Sequence, residues 1–291
     1  MEVVKTKNRM KQISKELKEK GYTIGFVPTM GFLHEGHLQL VRLAKKKADK
    51  VVVSIFVNPL QFASGEDYEI YPRDLERDRI LLEKEEVDVL FCPDVEELYP
   101  PGYQTYVEVT ELSQGLCGAF RPGHFRGVAT VVLKLFNIIK PNFAIFGEKD
   151  YQQLKIIQQM TKDLDLDIEI IPHPIVREED GLAMSSRNNY LSSEERRSAI
   201  CLYQTLKFIE MLVHGGEREP QRIKELAIEY IERFPFTKVQ YVELVDVDTL
   251  QEIKEIKGPF LAALAVYVGK TRLIDNKIIY PKEEKECIES C

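Results

Sequence analysis

Two histidines lie three residues apart in the segment PTMGFLHEGH, residues 28–37. His34 and His37 come where an apolar strand candidate, residues 23–27, gives way to a helix predicted to begin near Gly36. Helix N-termini present unpaired N–H groups and a positive dipole end, so two imidazoles there form a compact donor cluster for phosphate oxygens. Glycine at position 36 would let a ligand approach the backbone closely. Two alternatives stay open, because the same pair could lie on the surface or bind a metal ion.

Strand and helix patterns alternate along residues 1–175. The run VVVSIFV, residues 51–57, is continuous and β-branched, which is typical of a strand buried on both faces of a parallel sheet. Further apolar strand candidates lie at residues 87–91, 143–146 and 168–171. Two stripes with helical spacing alternate with these strands: Met10, Ile13 and Leu17 before the first, then Val128, Val131, Val132, Leu135, Phe136 and Ile139 before the strand at residues 143–146. This alternation predicts an α/β fold with a doubly wound, Rossmann-like parallel sheet.

The pattern changes after the Pro172-His173-Pro174 segment, where we place a domain boundary near residue 176. Beyond it we predict two amphipathic helices and two strands, at residues 199–213, 223–231, 239–245 and 261–268. The sequence therefore predicts two domains, residues 1–175 and a smaller α+β domain of residues 176–291. The acidic tail KEEKECIESC is expected to be solvated and frayed.

Composition narrows the class of protein. A net charge of −7 opposes a large nucleic-acid footprint, because such binding relies on clustered Lys and Arg. No apolar run approaches the roughly 20 residues that span a bilayer, and the N-terminus is charged where a signal peptide would be apolar, so we expect a cytoplasmic protein without a membrane partner. Neither a disulfide framework nor a zinc site is indicated, since no CxxC pair occurs among the five cysteines, Cys92, Cys117, Cys201, Cys287 and Cys291.

Four polar motifs follow predicted strands. PTMGFLHEGH follows the first strand, NPLQF (residues 58–62) the second, FGEKDYQQL (residues 146–154) the strand at 143–146, and MSSRN (residues 184–188) lies beyond the strand at 168–171. Ligands of open α/β sheets bind outside the carboxyl ends of the strands, where helix N-termini also converge. The four motifs are therefore predicted to face one cleft.

Six segments carry a family resemblance between residues 25 and 190: VPTMGFLHEGH, SIFVNPLQF, YPRDLERD, CGAFRPGHFRGVATVV, FGEKDYQQL and GLAMSSRN. In this order they resemble the HxGH superfamily of nucleotidylyl transferases and, within it, the pantothenate synthetase family. The later segments YVELVD and TRLIDN look like the small C-terminal domain of that family. Leu60, where the family often has another residue, is a modest departure that puts no catalytic group in doubt.

The resemblance implies an ATP-dependent ligase with pantoate, β-alanine and ATP as substrates. Pantoate would attack the α-phosphate of ATP to give pantoyl adenylate and pyrophosphate, and β-alanine would then displace AMP to form pantothenate. Mg²⁺ would accompany the ATP, carried mostly by the nucleotide, and the protein would be a homodimer. Because a carboxylate must approach a polyanion, positive groups and hydrogen-bond donors are needed to offset the repulsion.

The same resemblance distributes roles among the motif residues. His37 is the expected catalytic proton donor, while His34, Lys149 and Arg187 assist catalysis at the phosphates. The ATP site is expected to comprise Met30, Gly31, His34, Gly36, His37, Gly147, Glu148, Lys149, Asp150, Val176, Met184, Ser185, Ser186 and Arg187. The second domain is the natural lid over an adenylate that water would destroy. No residue is identified as the base for the β-alanine ammonium.

Two glutamines are the candidates for the acid substrate. Gln61 and Gln153 carry neutral amides that can donate to a carboxylate, and the resemblance assigns both to pantoate, with Gln61 also near β-alanine. For any single glutamine, the alternative is a solvated surface position. Val128 and Val131 are expected to meet the pantoate methyl groups, although their helical stripe is more often core than pocket.

Two further clusters of charged residues each allow more than one interpretation. Arg121, His124 and Arg126 in RPGHFRG could bind phosphate or position the helix that follows them. A charged helix is expected to form a solvated face, with one of its carboxylates as a minor candidate for supporting magnesium; these residues are Asp74, Glu76 and Asp78.

Three other classes of protein compete with the ligase. An RNA-acylating synthetase would share the histidine loop, but this acidic chain has no added basic domain for RNA. A metal-dependent hydrolase would use His34 and His37 as ligands and lacks a convincing third ligand by spacing. A nucleotide sensor without catalysis would need the phosphate donors but not the two glutamines.

Overall fold

The computed structural model describes residues 1–63 and 65–282. It divides into two compact units, one formed by residues 1–178 with 183–186, the other by residues 179–182 with the chain from residue 187 onward. The domain boundary after residue 175 stays a prediction. Residues 283–291, which hold nearly all of the predicted acidic tail together with Cys287 and Cys291, lie outside the described residues.

A parallel sheet of six strands forms the centre of the first unit. The strands are β1 (Glu2–Val4), β2 (Ile24–Thr29), β3 (Lys50–Ile55), β4 (Val89–Phe91), β5 (Phe143–Gly147) and β6 (Glu169–His173). Their spatial order is β1-β4-β3-β2-β5-β6, and every neighbouring pair is parallel. The predicted doubly wound sheet is confirmed. Strand β1 was not predicted, because three residues within a charged N-terminus carry too little periodic signal.

Helices cover this sheet: α1 (Lys7–Glu19), α2 (Glu35–Lys47), α3 (Leu75–Lys84), α4 (Val95–Leu98), α5 (Cys117–Phe120), α6 (His124–Ile139) and α7 (Tyr151–Asp163). Short 3₁₀ turns occur at Pro59–Gln61 and Glu148–Asp150. The valines at positions 51 to 53 in β3 are fully buried, as expected for a strand covered on both faces. Val51 and Val53 belong to a core that also includes Val41 of α2 and Leu82 of α3.

The sheet reverses its winding direction between β2 and β5. These strands are neighbours although β3 and β4 come between them in the chain. Helix α2 carries the chain from β2 to β3 on one side, whereas β5 lies on the other side of β2. The segments after β2 and β5 therefore leave one edge of the sheet in opposite directions. Ligands of open α/β sheets bind in the crevice at such a switch point.

The second unit is an antiparallel sheet with helices. Strands β7 (Thr237–Asp246), β8 (Phe260–Val268) and β9 (Thr271–Ile279) pair in that order, accompanied by α8 (Ser193–Ala199), α9 (Cys201–His214) and α10 (Pro220–Ile231). The smaller α+β fold is thereby confirmed. Strand β9 was not predicted from the sequence, since its charged and amide residues interrupt the apolar pattern. Two of them, Asp275 and Asn276, are nevertheless buried.

Cys92, Cys117 and Cys201 are buried and form no disulfide within the described residues. Across residues 1–63 and 65–282, no helix has the combination of length and apolar character that crossing a membrane requires.

Candidate active site

The two histidines lie at the start of α2, directly after the loop that follows β2. His34 is the N-cap residue, so the helix begins at Glu35, one residue earlier than predicted. The two imidazole centroids are 4.0 Å apart. The backbone N–H of His34 donates to Nδ1 of His37 at 3.3 Å, so in the neutral ring of His37 the proton sits on Nε2. His37 can therefore offer Nε2–H to a ligand.

Gly36 makes room for an imidazole. A Cβ at this position would lie 2.9 Å from both Cε1 and Nδ1 of His34, and 3.7 Å from Cβ of Met184. On this side of the glycine the space is filled by the His34 ring, and the approach of a ligand to the Gly36 backbone stays a prediction. The glycine is required so that His34 can fold back over the first turn of its own helix.

Both histidines are held neutral. Loss of solvent, then the positive charge of Lys149, lowers the pKa of His34 to about 4. Burial, then His34 and Lys149, lowers the pKa of His37 well below its usual value. The Nδ1 atom of His34 is buried and has no hydrogen-bond partner within the described part of the chain. A buried polar atom left in this state is costly unless a ligand or water completes it.

Asp78 of α3 holds the loop that presents the histidines. Its carboxylate accepts the backbone N–H groups of Phe32 at 2.7 Å and Leu33 at 2.8 Å. The prediction of a solvated face is wrong for Asp78, which is only 1% exposed. It holds for Asp74 and Glu76, which are exposed and serve as the cap of α3 and as a partner of Arg79. Burial is the largest cause of the raised pKa of Asp78.

The loop needs this support because its backbone is unusual. Gly31 and Phe32 have φ angles of 84° and 50°, in the left-handed region that a bulky residue such as Phe32 rarely adopts. The guanidinium of Arg77 lies 5.1 Å from the Phe32 ring centroid, which adds a cation–π contact to the two hydrogen bonds of Asp78. Met30, at the start of the loop, is partly buried.

The segment after β5 supplies the positive charge. Gly147 ends the strand, and Glu148, Lys149 and Asp150 form the 3₁₀ turn that leads into α7. The Lys149 side chain is 20% exposed, and its Nζ lies 3.8 Å from Oδ1 of Asp150. The positive charge of Lys149 contributes to the lowered pKa of both histidines, so its charge acts at the α2 N-terminus, while its role at the phosphates stays a prediction.

The MSSRN motif is divided between the two units. Met184 and Ser186 belong to the first: the N–H of Met184 donates to the carbonyl of Val176 at 3.0 Å, and Oγ of buried Ser186 donates to the carbonyl of Phe32 at 3.1 Å. Ser186 therefore ties this motif to the histidine loop. Ser185 is partly buried in the same unit. Arg187 belongs to the second unit, and its role stays a prediction.

Gln61 ends the 3₁₀ turn after β3 and is 8% exposed. Its Oε1 accepts from Nδ2 of Asn58 at 3.1 Å, and its Nε2 donates to Sδ of Met30 at 3.0 Å. Asn58, in turn, donates to the carbonyl of Gly127 and accepts from the Tyr99 hydroxyl, each at 3.0 Å. Asn58 thus fixes which end of the Gln61 amide faces outward. Sequence reasoning did not single out Asn58, although it begins the NPLQF motif.

Two adjacent glutamines on α7 differ in what they contact. Gln152 is buried, where it accepts from the N–H of Cys117 and donates to the carbonyls of Leu112 and Gly115. Gln153 is only partly buried. Gln152 is therefore committed to holding a loop, which leaves Gln153 as the member of the pair suited to a ligand.

The remaining predicted residues lie on or beside α6. Val128 and Val131 are buried, so the core interpretation of the stripe holds for them. Arg126 is exposed, with its guanidinium 4.9 Å from the Tyr106 ring centroid. Arg121 and His124 both contact the backbone carbonyl of Gln61, so this residue connects the RPGHFRG segment to the site.

Among the described residues, no group of three or more His, Cys, Asp or Glu side chains could hold a metal ion. The oxygens of Asp78 accept backbone N–H groups instead. Neither the hydrolase hypothesis nor a protein-held magnesium gains a ligand set from these residues.

The sequence matches the family model described as Pantoate-beta-alanine ligase over residues 2–278. A pantothenate synthetase from Thermotoga petrophila is 58% identical over 279 residues, which are 96% of this chain and 100% of the relative. One from Caldicellulosiruptor bescii is 55% identical over 282 residues, 97% of this chain and 100% of the relative.

Two solved structures that resemble this chain carry the same name as these relatives or the name of the matching family. A pantothenate synthetase from Thermus thermophilus superposes with a TM-score of 0.90 at 44% identity, covering 97% of this chain and 100% of the other. A pantoate-beta-alanine ligase from Francisella tularensis, complexed with beta-gamma ATP and beta-alanine, gives a TM-score of 0.82 at 39% identity, covering 96% and 97%. With the histidine loop, the switch-point sheet and a family match along nearly the whole sequence, this chain belongs to the pantoate-β-alanine ligase family.

Proposed function

We propose that this chain condenses pantoate with β-alanine to give pantothenate, AMP and pyrophosphate, with ATP consumed through a pantoyl adenylate. One observation carries the proposal within the family: two neutral histidines at the N-terminus of α2 lie beside Lys149 at the switch point of the sheet. The buried Nδ1 of His34, which lacks a partner among the described residues, is suited to a ligand that supplies one.

The first step places the carboxylate of pantoate against the α-phosphate. Negative charge grows on the departing pyrophosphate, and Nε2–H of His37 can donate to it while Lys149 offsets the charge. Because His37 is neutral before ATP binds, it acts as a hydrogen-bond donor, and the arriving phosphates favour its protonated form. This refines the expected role of proton donor. His34 assists at the same phosphates.

ATP would extend from these phosphates along the segments after β5 and β6. Gly147, Glu148 and Asp150 would line the ribose and adenine side, and Val176 would contact the base. Met30, Gly31, Gly36 and Met184 would complete the walls of the nucleotide site. Mg²⁺ would arrive on the ATP phosphates, since the described residues offer no carboxylate cluster of their own.

Pantoate would lie against the two glutamines. The Gln61 amide is turned by Asn58 so that its NH₂ group points away from the Asn58 side, toward Met30. That orientation favours an acceptor such as a carboxylate. Gln153 would bind the other polar end of the acid, and Val128 with Val131 would face its methyl groups where the α6 stripe reaches the site. We expect Gln153→Ala to raise the KM for pantoate more than that for ATP.

The second unit would serve as a lid, in a cytoplasmic homodimer. Because a mixed anhydride is destroyed by water, cover over the adenylate is needed. Arg187 and Ser185, with Ser186, would then clamp the phosphates. Arg187→Ala should cost about 2–4 kcal/mol of transition-state stabilisation if the guanidinium acts there. An unchanged rate would remove Arg187 from the site.

The experiment that tests the function is pyrophosphate exchange into ATP with a panel of small acids and no amine. Pantoate should support exchange where the other acids do not. Oxygen label from the pantoate carboxylate should appear in AMP after the full reaction with β-alanine. Label that never reaches AMP would exclude the adenylate, and exchange without any acid would favour another function.

A further inference from the structure

Beside Gln61 lies a largely buried chain of charged and polar groups that the reaction as described does not use. Arg121 donates to both oxygens of Glu66, from Nε at 2.6 Å and from Nη2 at 2.7 Å. This two-pronged pair is little exposed, at 12% for the Arg121 side chain and 22% for Glu66. Bidentate Arg–carboxylate pairs fix geometry as well as charge. Glu66 also accepts from the N–H of Ala63 at 3.2 Å, which joins the pair to the backbone beyond Gln61.

His124 connects this ion pair to Gln61. Its Nε2 lies 3.1 Å from Nη1 of Arg121, and its Nδ1 lies 2.7 Å from the carbonyl oxygen of Gln61. A guanidinium has only donors, so Nε2 must accept and the proton must sit on Nδ1, which donates to the carbonyl. Burial, then the charge of Arg121, lowers the pKa of His124 to about 3, so this tautomer is neutral at pH 7. Arg121 adds a second donor to the same carbonyl, from Nη2 at 3.3 Å.

Together with Asn58, these contacts hold both the side chain and the backbone of Gln61 in place. Its side-chain amide is set by Asn58, and the backbone just before it packs against α6 at Gly127, where a Cβ would come within 2.1 Å of the Leu60 carbonyl oxygen. Within residues 1–63 and 65–282, the carbonyl of Gln61 itself is held by His124 and Arg121. Its main chain thus has a dedicated anchor.

The same contacts weigh against phosphate binding by Arg121. All three of its nitrogens already face partners in the described structure, and Glu66 offsets its charge at close range. His124 has both ring nitrogens engaged.

We propose that Glu66, Arg121 and His124 are positioning residues that hold Gln61 in the orientation needed to bind the acid substrate. This rests on the proposed role of Gln61 toward pantoate. The Glu66 carboxylate orients the Arg121 guanidinium, which in turn orients the His124 imidazole. The imidazole and the guanidinium then hold the carbonyl of Gln61. None of the three needs to touch pantoate or ATP.

Two substitutions at position 124 separate positioning from simple packing. His124→Asn keeps a donor close to the place of Nδ1–H, whereas His124→Phe keeps the ring shape and removes both nitrogens. In pantoate-dependent pyrophosphate exchange, we expect His124→Phe to raise the KM for pantoate about tenfold, the loss of roughly one hydrogen bond. His124→Asn should stay within about threefold of the wild type, and the KM for ATP should stay constant in both.

Glu66→Gln tests the far end of the chain while leaving His124 in place. Its expected effect on the KM for pantoate is in the same direction and roughly threefold, since the pair loses its charge and one of its two acceptor oxygens. The matched control is Glu76→Gln, which removes the charge from an exposed Glu–Arg pair on α3 and should change neither KM.

A readout that needs no substrate distinguishes this inference from the proposed function. With ¹⁵N-labelled glutamine, the side-chain NH₂ signals of Gln61, assigned by Gln61→Glu, should shift in His124→Phe and Glu66→Gln but remain near their wild-type positions in His124→Asn. Unchanged Gln61 signals in His124→Phe would overturn the inference, as would equal KM increases in His124→Asn and His124→Phe. Wild-type protein without pantoate-dependent exchange would contradict the proposed function, while the amide signals would still decide the positioning.

Discussion

The loop after β2 and the segment after β3 leave the same edge of one sheet, yet they differ in how completely their polar atoms are hydrogen-bonded. In the first, His34 retains a buried nitrogen without a partner among the described residues, and both imidazoles are desolvated beside Lys149. In the second, the backbone and amide of Gln61 are fixed by Asn58, Arg121 and His124.

The difference corresponds to two kinds of task. A group that stabilises charge during reaction is most effective when its interaction is completed only by the reacting phosphates. A group that selects an acid by its shape is most effective when its orientation is settled before binding. Of these two segments, the loop at residues 30–37 therefore carries the left-handed Phe32 backbone and the incomplete hydrogen bonding of His34, while the segment around Gln61 is braced.

The largest expected effect comes from removing the donor in the first loop. His37→Ala should slow pantoate-dependent pyrophosphate exchange by about 10²–10³, the usual cost of losing one donor to a developing oxyanion. Circular dichroism and denaturant unfolding would verify that the fold persists. Exchange at the wild-type rate would make this imidazole structural and abolish the contrast between the two regions.

Removing the brace under the first loop should have the next largest effect. Asp78→Ala leaves the N–H groups of Phe32 and Leu33 without their acceptor, so the free energy of unfolding should fall by about 2–4 kcal/mol. Exchange should fall as the histidines lose their position, by up to roughly a hundredfold. Denaturant titration and exchange kinetics measure the two effects.

Asp74→Ala is the matched control, since Asp74 caps the same helix without touching the loop. It should cost about 1 kcal/mol of stability and leave exchange intact. If both variants lost activity equally, helix α3 as a whole, rather than the Asp78 carboxylate, would be responsible.

A smaller change tests the packing of one ring. Gly36→Ala introduces a Cβ 2.9 Å from the His34 ring, which must shift, and exchange should fall roughly tenfold. Gly258→Ala is the control, because no atom lies within 4 Å of the Cβ it would add. Full activity in Gly36→Ala would show that the position of the His34 ring is not needed.

The smallest effect concerns stability and pH. The pKa of His34 is lowered from 6.5 to about 4 on folding, so the unfolded chain binds a proton more readily. The native state then loses stability as pH falls from about 6.5 toward 4, and keeps it at higher pH. Between pH 7 and pH 5, the free energy of unfolding should drop less in His34→Gln than in wild type. Equal drops in urea titrations would place His34 in a solvated environment.

The sequence predicted the location of the histidine loop because two signals coincide there. An apolar strand ends and a helix begins around a pair of histidines, and parallel strands bring such ends to one edge. His34 and Lys149 come together because β2 and β5 are neighbours in the sheet, at the point where the strand order reverses. In the sequence, only the alternation of strands and helices suggests such a reversal.

Asp78 escaped prediction for a physical reason. In the segment DLERD, Asp78 looks like one of several charged residues on a solvated helix. Its burial is decided by a contact with Phe32, which lies 46 positions earlier in the chain. Asn58 and Gln152 show the same limit, since amides look alike in sequence until their partners are known. For Asn58 the position directly after a buried strand was an available signal.

The contact between Asp78 and Phe32 also bears on how the enzyme is made. When residues 30–37 leave the ribosome, the carboxylate that braces them is 46 residues away, roughly 2 to 9 s of synthesis. Until α3 emerges and docks, Asp78 cannot accept the N–H groups of Phe32 and Leu33. The reactive loop is thus completed by later-synthesised sequence, and protection of those two amides against hydrogen exchange would report when the site is assembled.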